Sequence, residues 1–421
     1  MKDNALLRLT RNDYAFTVAT KIIAMVIGVV ASVFGTRYLG PALKGENGYI
    51  TALITTVSVI ANFGLYQPYP YHKRRQEPDA LGKFLNIFAL QYVVYTAVGI
   101  VLAASLGSFA LGAVCLIAPI QVLANQLSFL VMVEHVKYKN LVFLTARTTN
   151  TVLIILAFCL LTPSLLVTLG LIVVGDLITV VMALRKFGRT GNPFRADFGF
   201  LRKIWSFGLV AMVTTLLLTL NYRMDVMMLK WMGVPGAQRG FYELGISLAE
   251  YGWVVSDAFR EVLFSRTARR DAIEDVSFSL KANFYITLLM IAGIALFGRP
   301  VIRLIYTAAF LPSYRVTVIL LTGVLSMSYF KLIGTLLLAQ GRKNMYLAML
   351  SVSVLVNIAA NWFSIPLWGI EGAAMSSVLS YTVAGLVFLG YFVRTYNVPV
   401  ASLFLFKRGE IRALVARLRG R

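Results

Sequence analysis

Asn221-Tyr222-Arg223-Met224-Asp225 lies near the end of an apolar run that extends from Trp205 to Trp231. A run of that length reads as one helix across a bilayer, whose hydrocarbon core is roughly 30 Å thick. Arg223 and Asp225 then each cost roughly 2.5–3.5 kcal/mol on the scale for charges within a membrane helix. Two positions apart, they project about 200° from one another, so they do not simply neutralise each other. A partner, a water-filled cavity or a substrate must hold them. An aqueous lumen inside a helix bundle is the first expectation.

The rest of the chain fits that reading. Of 421 residues, 58% are hydrophobic and 14% are charged, against about 25% charged in a soluble protein. Apolar stretches place helical spans at about 14–36, 48–69, 84–106, 109–133, 141–161, 164–184, 206–229, 240–262, 282–298, 316–338, 345–367 and 371–393. The expected fold class is therefore an all-α membrane protein, with about twelve transmembrane helices in two six-helix lobes around a central cavity. No cleavable leader is expected, because Met1 to Asp13 is polar and no small-residue cleavage site precedes the first span. Cys115 and Cys159 both sit in apolar segments and read as small core residues. His72 and His135 are the only histidines and fall in loops. No metal set, cofactor or hydrolytic triad is expected, and the chain does not read as an enzyme.

The net charge of +22 would suggest nucleic acid in a soluble protein. Here membrane orientation explains most of it, and no nucleic-acid partner is expected. Basic clusters such as Lys73-Arg74-Arg75, Lys137 with Lys139, and Arg185 to Lys203 fall on one side of the spans. Lys2, Arg8, Arg11, Arg266, Arg269, Arg270 and the tail cations share that side. The other side holds only Arg37, Lys44, Lys230, Arg239, Arg299, Arg303 and Arg315. The positive-inside rule then puts both termini in the cytoplasm. Gly188, Gly191 and Pro193 mark the basic interruption as a linker. The expected domains are an N-terminal lobe over 1–190, a basic cytoplasmic linker over 191–205, a C-terminal lobe over 206–394 and a basic amphipathic tail over 395–421. The segment from Arg299 to Arg315 is expected along the outer surface. Trp205, Trp231 and Trp368 lie near span ends, as interfacial aromatics do.

Particular residues carry a family resemblance. The first span and its exit read Lys21-Ile22-Ile23, Arg37-Tyr38-Leu39-Gly40-Pro41, Gly45 and Gly48-Tyr49. The seventh and eighth spans read Asn221 to Asp225, Gly240-Phe241-Tyr242, Ser247-Leu248-Ala249-Glu250-Tyr251 and Phe264-Ser265-Arg266. The last pair reads Ala339-Gln340-Gly341-Arg342, Asn357, Asn361, Pro366 and Gly369-Ile370-Glu371-Gly372-Ala373-Ala374. In this order, over nearly the whole chain, the set resembles the polysaccharide-exporter branch, the O-antigen flippases, of the multidrug/oligosaccharidyl-lipid/polysaccharide superfamily. The resemblance implies a twelve-helix, two-lobed transporter of the bacterial inner membrane. It would move an undecaprenyl-pyrophosphate-linked oligosaccharide from the cytoplasmic to the periplasmic leaflet by alternating access. Its partners would be that lipid-linked glycan and membrane lipids, with H+ or Na+ coupling. Nothing in the sequence calls for an oligomer, so a monomer is expected.

A pyrophosphate head group needs cations along its path, because Arg binds phosphate through paired hydrogen bonds and Lys offers a mobile point charge. Lys21, Arg147 and Lys331 are placed to receive it on the cytoplasmic side, and Arg223 and Arg37 on the outer side. Each also reads as an interhelical ion pair or a side chain snorkelling to the interface, and for Arg37, at a span end, snorkelling is the first reading. Asp176, Asp225, Glu250 and Asp257 are the acidic candidates, either for coupling an ion or for structural pairing. Glu250 and Asp257, seven positions apart, share a helix face. A cation-coupled drug or metabolite antiporter of the same superfamily is the alternative, and it favours an acidic lumen. A membrane glycosyltransferase would call for a large extramembrane loop, and a major-facilitator transporter for a different loop signature after its second span. The loop here reads His72-Lys73-Arg74-Arg75-Gln76-Glu77-Pro78-Asp79.

Overall fold

Among the described residues, helices account for nearly all of the chain and no strand occurs. The structure is a computed structural model describing residues 13–253, 256, 257, 259, 260 and 273–405; the side chains at 13–18, 274 and 275 lie outside that description. The chain-start cations Lys2, Arg8 and Arg11, the stretch Phe264 to Arg270 and the tail from 406 onward also fall outside it.

The helices are α1 (Asp13–Asn62), α2 (Tyr69–Arg74), α3 (Ala80–Ser105), α4 (Phe109–Glu134), α5 (Val136–Leu160), α6 (Leu165–Phe187), α7 (Phe198–Trp231), α8 (Gly236–Glu250), α9 (Ile273–Val301), α10 (Ser313–Ala339) and α11 (Lys343–Tyr396). Nine of these are long and apolar enough to cross a membrane among the described residues. The spans within α1 and α11 run 44 and 54 residues, about 66 and 81 Å at 1.5 Å per residue. Each exceeds two hydrocarbon thicknesses, and each breaks once. In α1 the break is Gly40 (φ 66°, ψ 176°), followed by Pro41, which has no N–H to continue the ladder. In α11 it is Gly369 (φ 56°, ψ −126°), three residues after Pro366. Both helices therefore cross twice. That makes eleven crossings among the described residues; of the twelfth expected span, 240–262, α8 covers the part up to Glu250.

Two units divide the chain between Thr219 and Leu220, inside α7. Residues 191–205, expected as a linker, hold the 3-10 turn Pro193–Arg195 and the first turns of α7. In the first unit, Phe84 and Phe88 of α3, Leu127 and Leu130 of α4, Ala183 of α6 and Phe200 of α7 form one apolar core. In the second, α10 is the central helix: Val324, Met327, Leu332, Ile333 and Leu336 are buried, with Phe388 and Phe392 of α11. Outward faces are apolar as well. Leu160, Leu166, Leu289, Leu296, Trp362 and Phe363 are exposed along the helices, as lipid-facing side chains are. Trp205, Trp231 and Trp368 are exposed near helix ends or bends. The segment expected along the outer surface instead continues α9 to Val301, then makes a π-helical turn over Ile302–Tyr306 and a 3-10 turn over Ala308–Phe310.

Candidate functional site

In the second unit, α7 sorts its polar residues by helical angle. Asn221 and Asp225 are four apart, so they share a face, and both are buried. Asp225 Oδ1 accepts from its neighbour Val226 N at 2.8 Å. Asp225 Oδ2 accepts from Ser377 Oγ at 3.0 Å and from the Tyr242 hydroxyl. One turn back, Asn221 Oδ1 accepts from Ser353 Oγ at 3.0 Å and Ser380 Oγ at 3.1 Å. Asn357 Nδ2 donates to Ser377 Oγ at 3.5 Å, and Asn361 Nδ2 to Asn357 Oδ1 at 3.0 Å. A column of amides and hydroxyls thus runs between α7 and the two halves of α11. Asn221 Nδ2 and Asn361 Oδ1 are buried in it with no hydrogen-bond partner among the described residues. The carboxylate of Asp225 is held by hydroxyls and a backbone N–H, which solvate a buried anion as water would.

The other face of α7 carries Arg223, whose guanidinium meets Glu250 of α8 at 3.3 Å. Farther along, Lys331 of α10 meets both oxygens of Asp257 at 3.1 Å. Asp257 also lies 3.7 Å from Arg260. The Lys331 side chain is only 6% exposed, and its ammonium sits 4.5 Å from the centre of the Trp253 ring, a cation–π distance. Trp253 packs against Tyr222 at 5.1 Å and against Tyr381 at 6.0 Å between ring centroids. Tyr222, Asp225, Glu250, Trp253 and Tyr381 line a small cavity of about 10 Å³, room for about one water. Two expected cargo cations, Arg223 and Lys331, are therefore each engaged by an expected acid, Glu250 and Asp257.

The first unit is built differently. The Arg147 guanidinium of α5 fills the gap left by Gly28 of α1, where an added Cβ would lie 1.9 Å from Nη2. Lys21 precedes Gly28 by seven residues and so lies on the same face, about 10 Å along the axis. Arg37 is nine residues beyond Gly28, which turns it to the opposite side of that helix. The structure thus brings Arg147 and Lys21 to one face and leaves Arg37 off it. Asp176 of α6 has Oδ2 buried without a hydrogen-bond partner among the described residues, and Asn150 Oδ1 of α5 is in the same condition.

Sequence reasoning missed Tyr242, Ser353, Ser377 and Ser380. Their signal was present: Ser353, Asn357 and Asn361 recur every four residues in an apolar helix, and Ser376, Ser377 and Ser380 follow the Gly369 break. A polar stripe at helical spacing inside a span marks an interior face.

The fold these helices build is shared with several solved transporters. Solved structures carry the comparison. An inward-facing multidrug-resistance MATE family transporter of the MOP superfamily aligns with TM-score 0.68 at 12% identity, covering 89% of this chain and 94% of that one. The lipid II flippase MurJ, in an inward closed conformation, aligns with TM-score 0.69 at 13% identity, covering 92% and 88%. A MOP superfamily transporter from Pyrococcus furiosus, described as having a binding pocket of reverse polarity that suggests a different function, aligns with TM-score 0.60 at 14% identity, covering 93% and 97%. No protein-family model matches the chain, and neither does any curated protein compared with it.

Proposed function

We propose that this protein is a flippase for an undecaprenyl-pyrophosphate-linked oligosaccharide, the repeat unit of O-antigen or another surface polysaccharide. It carries the cargo from the cytoplasmic to the periplasmic leaflet of a bacterial inner membrane by alternating access, as a monomer with both termini in the cytoplasm. The observation that carries the reading is the set of cations within the spans, Arg147, Arg223 and Lys331. A pyrophosphate leaving water needs such groups, and weak successive sites let it leave again.

The ion pairs supply a switch. While Glu250 holds Arg223 and Asp257 holds Lys331, neither cation is fully available to phosphate. Protonation of either carboxylate, or its neutralisation by another cation, releases the basic partner to the cargo. The Asp225 column, with its anchored carboxylate and neighbouring Asn and Ser oxygens, is the candidate for holding a coupling Na+, a hard cation that prefers oxygen ligands; Asp225 is equally a candidate proton acceptor. Asp176 is the corresponding candidate in the first unit.

A second reading is a cation-coupled antiporter for drugs or metabolites. The cluster of Tyr222, Trp253 and Tyr381, with Asp225 and Glu250 beside it, favours it, because aromatic faces and carboxylates attract organic cations; the one-water space there would have to open to admit one. Complementation separates the two. In a flippase-deficient strain, the wild-type chain is expected to restore surface polysaccharide, and Arg223→Ala and Arg147→Ala at matched membrane abundance to lose it. Failure of the wild type with every lipid-linked glycan tested would favour the antiporter.

A further inference from the structure

A pocket of about 330 Å³ opens in the first unit, lined by Asn62, Tyr66, Asn125, Ser128, Lys139 and Thr215. None of the six is among the residues expected to meet the cargo or the coupling ion. The size is at the small end of the about 300–1,000 Å³ typical of small-molecule sites. A close backbone crossing builds it. Gly64 sits at φ +62°, and a Cβ there would lie 2.3 Å from the carbonyl oxygen of Gly208. The contact seats α7 against the end of α1 and leaves Thr215, two turns beyond Gly208, at the pocket.

Each lining group has a defined chemistry. No carboxylate lines the pocket, and Lys139 makes no ion pair among the described residues, so the pocket carries one positive charge. The Lys139 ammonium lies 5.5 Å from the Phe143 ring, which orders it without neutralising it. Asn62 is buried, and its Oδ1 accepts from Gln126 Nε2 at 3.3 Å. Gln126 is fixed in turn on Gln91 Oε1 at 2.7 Å. That leaves the Asn62 amide nitrogen as the donor it can offer the pocket. Tyr66 packs on Phe129 with ring centroids 4.7 Å apart, which makes one wall aromatic. An aromatic wall, two amides, two hydroxyls and one lysine match one ligand chemistry. The C–H face of a sugar ring lies on the wall, its hydroxyls meet Asn and Ser, and an anionic substituent meets the ammonium.

We infer that this pocket is a binding site for a single sugar ring bearing a phosphate or a carboxylate. The biological cargo assigned to it rests on the flippase reading: either the sugar joined to the pyrophosphate or an acidic sugar farther along the repeat unit. The site itself is testable without transport.

The experiment is calorimetric titration of the purified full-length protein with glucose 1-phosphate, glucuronic acid, glucose and inorganic phosphate. Glucose 1-phosphate or glucuronic acid is expected to bind, and which of them binds tells the two sources apart. Lys139→Gln is expected to weaken that binding about tenfold or more, Lys139→Arg to retain it, and Asn125→Leu to weaken it. Unchanged thermal unfolding of the variants confirms that they are folded. The inference is overturned if no probe binds, if Lys139→Gln binds like the wild type, or if inorganic phosphate alone binds as tightly as the sugar phosphate. Flipping of a lipid-linked glycan by the wild type is measured in parallel. Flipping without sugar-phosphate or uronate binding sinks the site and spares the flippase reading; binding without flipping does the reverse.

Discussion

Asp225 in the second unit and Asp176 in the first are both carboxylates within spans, yet their surroundings are opposite. Asp225 accepts hydrogen bonds from Tyr242, Ser377 and the Val226 backbone. Asp176 has one oxygen buried with no hydrogen-bond partner among the described residues. The cations differ in the same sense. Arg223 and Lys331 are matched to Glu250 and Asp257, whereas Lys139 faces a pocket without a carboxylate. In the second unit Asp225, Arg223 and Lys331 are each met by its own side chains, so freeing any of the three means exchanging a partner. In the first, Lys139 borders a pocket that a ligand could fill, and Asp176 keeps a buried oxygen without a hydrogen-bond partner among the described residues. An unsatisfied buried polar atom costs about 1–3 kcal/mol, so such groups are a standing expense unless binding uses them.

The sharpest test of that contrast is Asp225→Ala, which strands Tyr242, Ser377 and the Val226 N–H. It is expected to lower stability by about 3 kcal/mol and to abolish transport, measured as thermal unfolding in detergent and as flipping in vesicles. Next is Lys331→Ala, expected to cost about 2 kcal/mol because it leaves Asp257 without its closest cation. The double variant with Asp257→Ala should recover part of that loss, and a cycle showing no coupling would break the picture of matched charges. Gly64→Ala should cost about 1–2 kcal/mol, from a Cβ against the Gly208 carbonyl and a strained φ. Asp176→Asn should change stability by less than about 1 kcal/mol. A large loss there would show that the first unit satisfies its carboxylate after all.

The smallest effect lies outside the spans. A hydrogen bond from His72 is the largest cause holding the Glu77 carboxyl below its ordinary value, with Lys83 adding to it. The folded value is depressed, so the stabilisation is present above the ordinary carboxylate range, near about 4.3. It is lost as pH falls through the lower folded value. Wild-type stability should therefore fall slightly more than that of Glu77→Gln across that acidic window, read as unfolding temperature against pH.

Much of the architecture was legible because a bilayer imposes it. Runs of about 20 apolar residues specify helices, and Gly40-Pro41 and Gly369 mark where two of them turn back. The site was legible only in part. Arg223, Asp225, Glu250, Asp257 and Lys331 stood out because charge within a span is costly, but which charge meets which depends on helix packing. Lys331 and Asp257 are 74 residues apart. Asp225 was open to pairing with a cation, and the structure gives it hydroxyls, since Tyr242 and Ser377 reach it from neighbouring helices. Serines are cheap to place in a span, so Ser353, Ser377 and Ser380 raised no alarm singly; only their shared face does. The Lys139 pocket was hidden because its lysine sits at a helix start, where a snorkelling cation is unremarked.

The measurement that meets the central claim most directly is flipping by the purified protein in proteoliposomes. The cargo is a fluorescent undecaprenyl-pyrophosphate-linked oligosaccharide, and loss of fluorescence to a membrane-impermeant quencher reports the leaflet. The account expects the wild type to equilibrate the lipid between leaflets and Arg223→Ala to fall to the rate of protein-free vesicles. Wild-type vesicles that leave the glycolipid in place while exchanging an organic cation for H+ or Na+ would contradict it.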